Sequence, residues 1–346
     1  MTYRLHVEGL SYAHDGPVGS GILKERAENF KVNEYLSFEP SGEGEHVFLY
    51  VQKTGLNTED VVKILAQYAE VPRSSVSFAG MKDRHAVTKQ WFSVQLPGQS
   101  GPDWQQLDNA DIQFERITRH SKKLKRGAIK FNQFEIIISQ LDADRQLIEQ
   151  RAKSIIKSGV PNYFMQQRFG YLGQNLSRAY DLFFKKQPIK NKKTKSLFLS
   201  SARSFLFNQA LSKRVTNHTW DQALEGDVFV LDGSRQFFQG ETVSAEIQAR
   251  MLEHDIHPSG PLFGIGESVV KHGVKESEEA VFSDNIVFCE GLKKQKVESA
   301  RRSLRVVPQN LELNFLDNDR LHISFKLQSG SYATAVLREL VNTTLR

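Results

Sequence analysis

A carboxylate flanked on both sides by cations is the group in this sequence best placed to do chemistry unaided. In Gly80-Met-Lys-Asp-Arg-His-Ala-Val-Thr-Lys-Gln90, Asp83 stands between Lys82 and Arg84. Adjacent cations favour the ionised form, and a carboxylate held ionised can act as a nucleophile or an electrostatic stabiliser. The same cations, Arg84 among them, could take the phosphates of a nucleic acid. A solvated hairpin tip would carry identical charges merely to stay in water. Charge pattern alone leaves these two readings level.

Other chemistries lack their residues. His254 and His257 form an HxxH pair, but no cysteine or nearby acidic ligand completes a zinc site, so the pair reads as polar surface on a loop and no metal is expected. There is no G-x-S-x-G elbow, no Walker loop and no G-x-G-x-x-G; Gly264-Ile-Gly266 lacks the third glycine. The single cysteine, Cys289, excludes an internal disulfide and has no evident base, so it reads as a packed apolar residue. No cofactor is implied.

The elements around Asp83 are legible from periodicity. Glu45 to Val51 and Trp91 to Leu96 are β-rich, and Val76 and Phe78 alternate with serines as a short strand. Between the first two, Asn57 or Thr58 caps a helix whose first turn holds Glu59 and Asp60, with Val61, Ile64, Leu65 and Tyr68 on one face. The Asp83 segment therefore joins two strands. A second helix, about 144–157, places Leu147, Ile148, Ala152, Ile155 and Ile156 on one side, and Gly159 with Pro161 stops it. The stretch 158–306 carries its own elements. Its last helix is expected to turn Leu292, Val297, Ala300 and Leu304 inward and a row of basic residues outward. Leu321, Ile323, Phe325 and Leu327 then alternate as a strand that needs a sheet to join. The expected organisation is one domain from 1–157 and 307–346, with 158–306 inserted.

With 346 residues, two domains are the natural expectation. The composition, 39% hydrophobic and 25% charged, is that of a folded globular chain. Neither a bilayer-length apolar run nor an apolar leader over Met1–Glu8 is visible, so the expectation is a cytoplasmic protein without a membrane partner. The formal charge of +6 is clustered: Lys122 to Arg126, Lys185 to Lys195 (with Lys190, Lys192 and Lys193), and Lys293 to Arg305 (with Arg301 and Arg302). Clustered cations release counterions from a phosphate backbone, which favours a nucleic-acid partner over three solvated segments.

The segment also resembles a known family. Gly80, Lys82, Asp83, Arg84, Ala86, Thr88 and Gln90 reproduce the G-x-K-D-[RK]-x-A-x-T-x-Q signature of the TruD family of tRNA pseudouridine synthases. Further blocks agree in order: Leu23-Lys24 with Glu28-Asn-Phe-Lys-Val-Asn-Glu34, Gly42 to His46, Gly127 with Asn132 and Phe134, Pro161 to Phe164 with Gln167 to Gly170, Ser201 to Ser204 with Leu206 to Asn208, Gly260 to Gly264, and Gly330 to Thr334 with Arg338 to Leu340.

The resemblance implies an α+β protein: a catalytic domain with a mixed, mainly antiparallel sheet and helices, an inserted α/β domain, and a basic cleft between them. It implies isomerisation of uridine 13 in the D-arm of tRNA, with Asp83 as catalyst, by a monomer with no obligate protein partner. Lys24, in the entry block, resembles the basic partner of the aspartate that other pseudouridine synthase families supply from a different place, and Lys82, Asn132, Phe134 and Tyr332 match pocket positions, the phenylalanine packing on the flipped base. Arg84, Lys190, Lys192, Lys193, Arg301 and Arg302 are the candidate RNA contacts. Phe131 and Met165 stand where the family often has glycine, which bears on local shape. The competing reading is a non-catalytic RNA-binding protein, against which the intact Lys82-Asp83-Arg84 argues; a different base-modifying enzyme would need a methyl-donor or nucleotide site that the sequence does not show.

Overall fold

Period-two alternation builds the larger sheet. In the computed structural model, which describes residues 9–240, 242–317 and 319–345, Phe30, Val32 and Glu34 are buried at every second position, as are Val47, Leu49, Val51 and Lys53. The N-terminal residues 1–8, on which the absence of a leader was judged, lie outside the described residues.

Seven strands come from the first part of the chain: β1 (Gly19–Leu23), β2 (Phe30–Leu36), β3 (His46–Thr54), β4 (Val76–Phe78), β5 (Val87–Gln95), β6 (Ile112–His120) and β7 (Ile129–Ala143). The C-terminal part adds β8 (Gln309–Phe315), β9 (Leu321–Gln328) and β10 (Asn342–Leu345). Among the described residues these form one ten-stranded sheet, ordered β8-β9-β7-β2-β5-β3-β6, with β4 on β5 and β1 between β7 and β10. Only β2/β5 and β1/β10 pair in parallel. β9 is the regular strand that needed a sheet: Leu321, Ile323, Phe325 and Leu327 are all buried along β7.

Helix α1 (Thr58–Tyr68) starts where expected, with Asn57 and Asp60 capping each other's backbone and Glu59 and Asp60 facing the helix dipole. Its buried Val61, Val62, Leu65 and Ala66 pack with Val47, Leu49, Val51, Phe92 and Val94. The second helix, Arg145–Ser158, buries a narrower stripe than expected. Ile148, Ala152 and Ile155 are inside, while Leu147 and Ile156 are about half exposed, each on the flank of that stripe.

The chain divides into two compact units. One holds the sheet and α1: residues 18–152, 308–330 and 341–345. The other comprises 9–17, 153–307 and 331–340. Segments 9–17 and 331–340, expected with the outer pieces of the chain, thus pack with the middle one. The core of this second unit gathers Tyr163, Phe164, Leu206, Phe207, Leu211, Phe288 and Leu292.

The expected basic helix at the end of the middle segment is not there. The helix Ile286–Lys294 stops at 294, and Ala300–Ser303 is a strand antiparallel to Ile256–Leu262. Its arginines are therefore not an outward row. The Arg301 guanidinium holds Glu278 at 2.9 Å and Ser259 Oγ at 3.0 Å. Arg302 donates to Asn162 Oδ1 at 2.6 Å and lies over the Phe164 ring, 4.1 Å from its centroid. Arg305 is buried and donates to His257 Nδ1 at 3.0 Å and the Met251 carbonyl at 2.9 Å. His257 is likewise not loop surface: it is buried, with Nε2 at 2.8 Å from Asp232 Oδ1.

Candidate active site

The connection 79–86 between β4 and β5 carries Asp83, and its neighbours on three sides fix it. Gly80 lies near its start, where a Cβ would come within 2.7 Å of Ile129 Cδ1 and displace that side-chain tip. The Asp83 side chain is 42% exposed, so its carboxylate can meet an incoming group, while its partner Lys24 is only 12% exposed. Lys24 Nζ donates to Asp83 Oδ2 at 2.7 Å and also lies 4.3 Å above the Phe30 ring. Lys24, one residue past β1, takes a left-handed backbone with φ of 60°. Non-glycine residues seldom sit there, and such outliers gather at functional sites.

Beneath the connection is a lysine that sequence reasoning missed. Lys53 is fully buried near the end of β3, and its ammonium donates to the carbonyls of Leu56 at 2.7 Å and Asp83 at 2.8 Å. Burial pulls its pKa down to about 8, against the opposing pull of Asp83. Further bonds hold the connection: Arg84 Nε to the Gly55 carbonyl at 2.9 Å and the Lys82 amide to Thr58 Oγ1 at 3.0 Å tie it to the turn and the start of α1, and Gln90 Nε2 to the Gly80 carbonyl at 3.2 Å ties it to β5. The signal was available. Lys53 continues the inward positions Val47, Leu49 and Val51, where an alternating strand places apolar residues.

Lys82, expected to line the pocket, is already engaged: its ammonium pairs with the buried carboxylate of Glu34, which also accepts from the Trp91 amide at 3.1 Å. Burial pushes the Glu34 carboxyl above its usual range, and the Lys82 ammonium opposes that shift. Glu34 follows Phe30 and Val32 at an inward position of β2, the same overlooked signal.

Asn132 lies opposite Glu34 in the β2/β7 ladder, and its Oδ1 is buried with no hydrogen-bond partner among the described residues. A buried acceptor left unpaired is costly and calls for an explanation. Phe134, two residues on, is buried, stacked on Phe325 at 5.5 Å and edge-on to Phe30 at 6.2 Å. One of its faces is therefore taken by the core rather than open as a platform. Phe131 is stacked on Tyr35 at 4.6 Å, with Lys326 Nζ 5.0 Å from its ring centre. Met165 caps a short helix in extended backbone that needs no glycine.

Tyr332 belongs to the other compact unit, where its hydroxyl accepts from Arg168 Nε at 3.1 Å and its ring meets Phe164 edge-on. Lys190, Lys192 and Lys193 are exposed, and the last two open the 25-residue helix Lys192–Thr216. No helix among the described residues is long and apolar enough to cross a membrane.

The architecture matches that of a solved protein. The crystal structure assigned as the tRNA pseudouridine synthase D of Methanosarcina mazei superposes with a TM-score of 0.71 over 95% of each chain, at 21% identity. The family model for tRNA pseudouridine synthase D (TruD) matches residues 6–177 and 189–340. Curated relatives named tRNA pseudouridine synthase D are 43% identical in Nitrosococcus oceani and 42% in Methylococcus capsulatus, each over 96% of this chain and 94% of the relative. The Hydrogenovibrio crunogenus relative is 38% identical over 100% of this chain and 99% of its own. The chain belongs to the tRNA pseudouridine synthase D family. It is thereby an isomerase that converts uridine to pseudouridine.

Proposed function

We propose that this isomerase acts on uridine 13 in the D-arm of tRNA, with Asp83 as the catalytic carboxylate and the ten-stranded unit as the catalytic domain into which the middle segment is inserted. The observation that carries this reading is the setting of Asp83: an accessible carboxylate, paired with Lys24 at 2.7 Å, on a segment whose backbone is tied down from beneath. The reaction breaks the N1–C1′ bond, turns the uracil and rejoins it through C5. The C5 proton departs and N1 gains one. Substrate and product are isomers, so the balance calls for no redox partner, group donor or cofactor.

A stacked base cannot turn, and extruding it costs a few kcal/mol. The uncommitted Oδ1 of Asn132 suits an N–H donor of the extruded uracil, and the Phe30 and Phe134 rings supply apolar wall. Backbone phosphates are assigned to Arg84, Lys190, Lys192 and Lys193, two of which stand at a helix N-terminus where an anion is favoured. Arg301 and Arg302 drop out because their guanidinium groups are held internally. The setting is cytoplasmic and the enzyme acts as a monomer without an obligate protein partner.

The test is carbodiimide labelling of tRNA transcripts read by primer extension. A stop reporting pseudouridine at position 13, absent when cytidine replaces uridine 13, is expected. Pseudouridine formed elsewhere but never at 13 would contradict the site, and none in any tRNA would contradict the function.

A further inference from the structure

A fully buried lysine is an expensive way to fill a strand position. A methionine would occupy similar space without the desolvation cost, and replacing buried charges with apolar groups is often neutral or stabilising. What Lys53 provides is protons. The Leu56 and Asp83 carbonyls lie in irregular segments, and Lys53 Nζ donates to both, at 2.7 and 2.8 Å. Both are charge-assisted hydrogen bonds, stronger than bonds between neutral groups. One of these two carbonyls belongs to the residue that bears the acting carboxylate.

We infer that Lys53 is a positioning residue for the isomerisation: its buried ammonium ties the peptide of Asp83 to the β3–α1 turn and so holds the carboxylate at Lys24. The inference rests on the reading of Asp83 as the catalyst. The charged groups facing Lys53 are Asp83 and Lys82 from the 79–86 connection and Asp60 from α1, with Arg84 bonded to the same turn; β5 and β6 oppose it in the ladder with Thr88 and Ile112. Asp83 and Asp60 favour the ammonium and Lys82 disfavours it, while burial brings its pKa to about 8. As pH rises through that value the ammonium loses its charge and one of its three protons, so its hold on both carbonyls and its attraction to Asp83 weaken.

The experiment is single-turnover pseudouridine formation on saturating tRNA from pH 6.5 to 9.5, for the wild type, Lys53→Met and Asp83→Asn. Affinity for tRNA and thermal unfolding are measured on the same preparations. The wild-type rate should fall above about pH 8. At pH 7 the folded Lys53→Met enzyme should be slower by roughly ten- to a hundredfold, the scale of a small misplacement of a reacting group, with tRNA affinity within about threefold and no inflection near pH 8. Folded Lys53→Met turning over at the wild-type rate would overturn the inference, as would a loss of rate that only follows the unfolded fraction. Should Lys53→Met not fold, the wild-type profile decides: a flat rate between pH 7 and 9.5 overturns the inference, and a fall centred near pH 8 supports it. Asp83→Asn separates the layers. If it is inactive while Lys53→Met is unaffected, only the Lys53 role fails; if it is active, the reading beneath it fails as well.

Discussion

Lys24 and Asp83, 59 positions apart in sequence, meet at 2.7 Å, and Lys24 does so from a left-handed backbone. With the carboxylate 42% exposed, the pair contributes only about 0–1 kcal/mol to stability. The strained backbone costs on the order of 1 kcal/mol. Stability does not account for this arrangement, whereas orientation of the carboxylate does.

Lys24→Met is accordingly expected to leave the melting temperature within about 2–4 °C of wild type, the shift that about 1 kcal/mol produces in a domain of this size. Turnover should fall at least about tenfold, the effect of one lost interaction of roughly 1.4 kcal/mol in the transition state. Calorimetry and single-turnover kinetics on one preparation check this. Parallel losses of stability and rate would make the pair a structural contact.

Lys82→Met should behave in the opposite way. It leaves the Glu34 carboxylate buried without its counter-ion, a situation that costs about 3–5 kcal/mol, so the melting temperature should drop sharply. Burial already pushes the Glu34 carboxyl upward, and losing Lys82 pushes it further. The folded state then holds a proton that the unfolded state releases above about pH 4.3, so stability falls as pH rises through that window. The variant should be closer to wild type at pH 5 than at pH 8, and adding Glu34→Gln should recover much of the loss. Equal destabilisation at both pH values would rule out the charge argument.

For Asn132 the expected result is dissociation of stability from activity. Asn132→Ala removes a buried oxygen that has no partner among the described residues, so thermal stability should hold or rise slightly. Turnover should fall if that oxygen receives an N–H of the uracil. A variant that is less stable yet fully active would assign Asn132 to the fold.

How much of this was legible depended on whether the partner of a residue was near in sequence. The helix after Asn57, the strand over 321–327 and the charged connection at Asp83 follow local rules, and the structure has them where those rules place them. Lys53 and Glu34 were passed over because lysine and glutamate are ordinarily surface residues. Alternation already marked both as inward, but what makes them tolerable, Asp83 with Leu56 for one and Lys82 for the other, arrives from elsewhere in the chain. The arginines at 301, 302 and 305 misled for the same reason. A basic run at helical spacing reads as a solvated face, yet Glu278, Asn162 and His257 take these side chains inward from remote segments. Phe134 is an intermediate case: its place in a matched sequence block was legible, but the stacking of its ring on Phe325 depends on the β7/β9 register.

The most direct measurement is single-turnover pseudouridine formation by Asp83→Asn on tRNA, with binding followed in parallel. Asparagine keeps the shape of the side chain and removes its charge, while the buried ties to the segment run through the backbone carbonyl and are retained. The account predicts no detectable pseudouridine with tRNA affinity within about threefold of wild type, since most affinity comes from phosphate contacts outside the site. Substantial turnover by a verified, folded Asp83→Asn enzyme would contradict it.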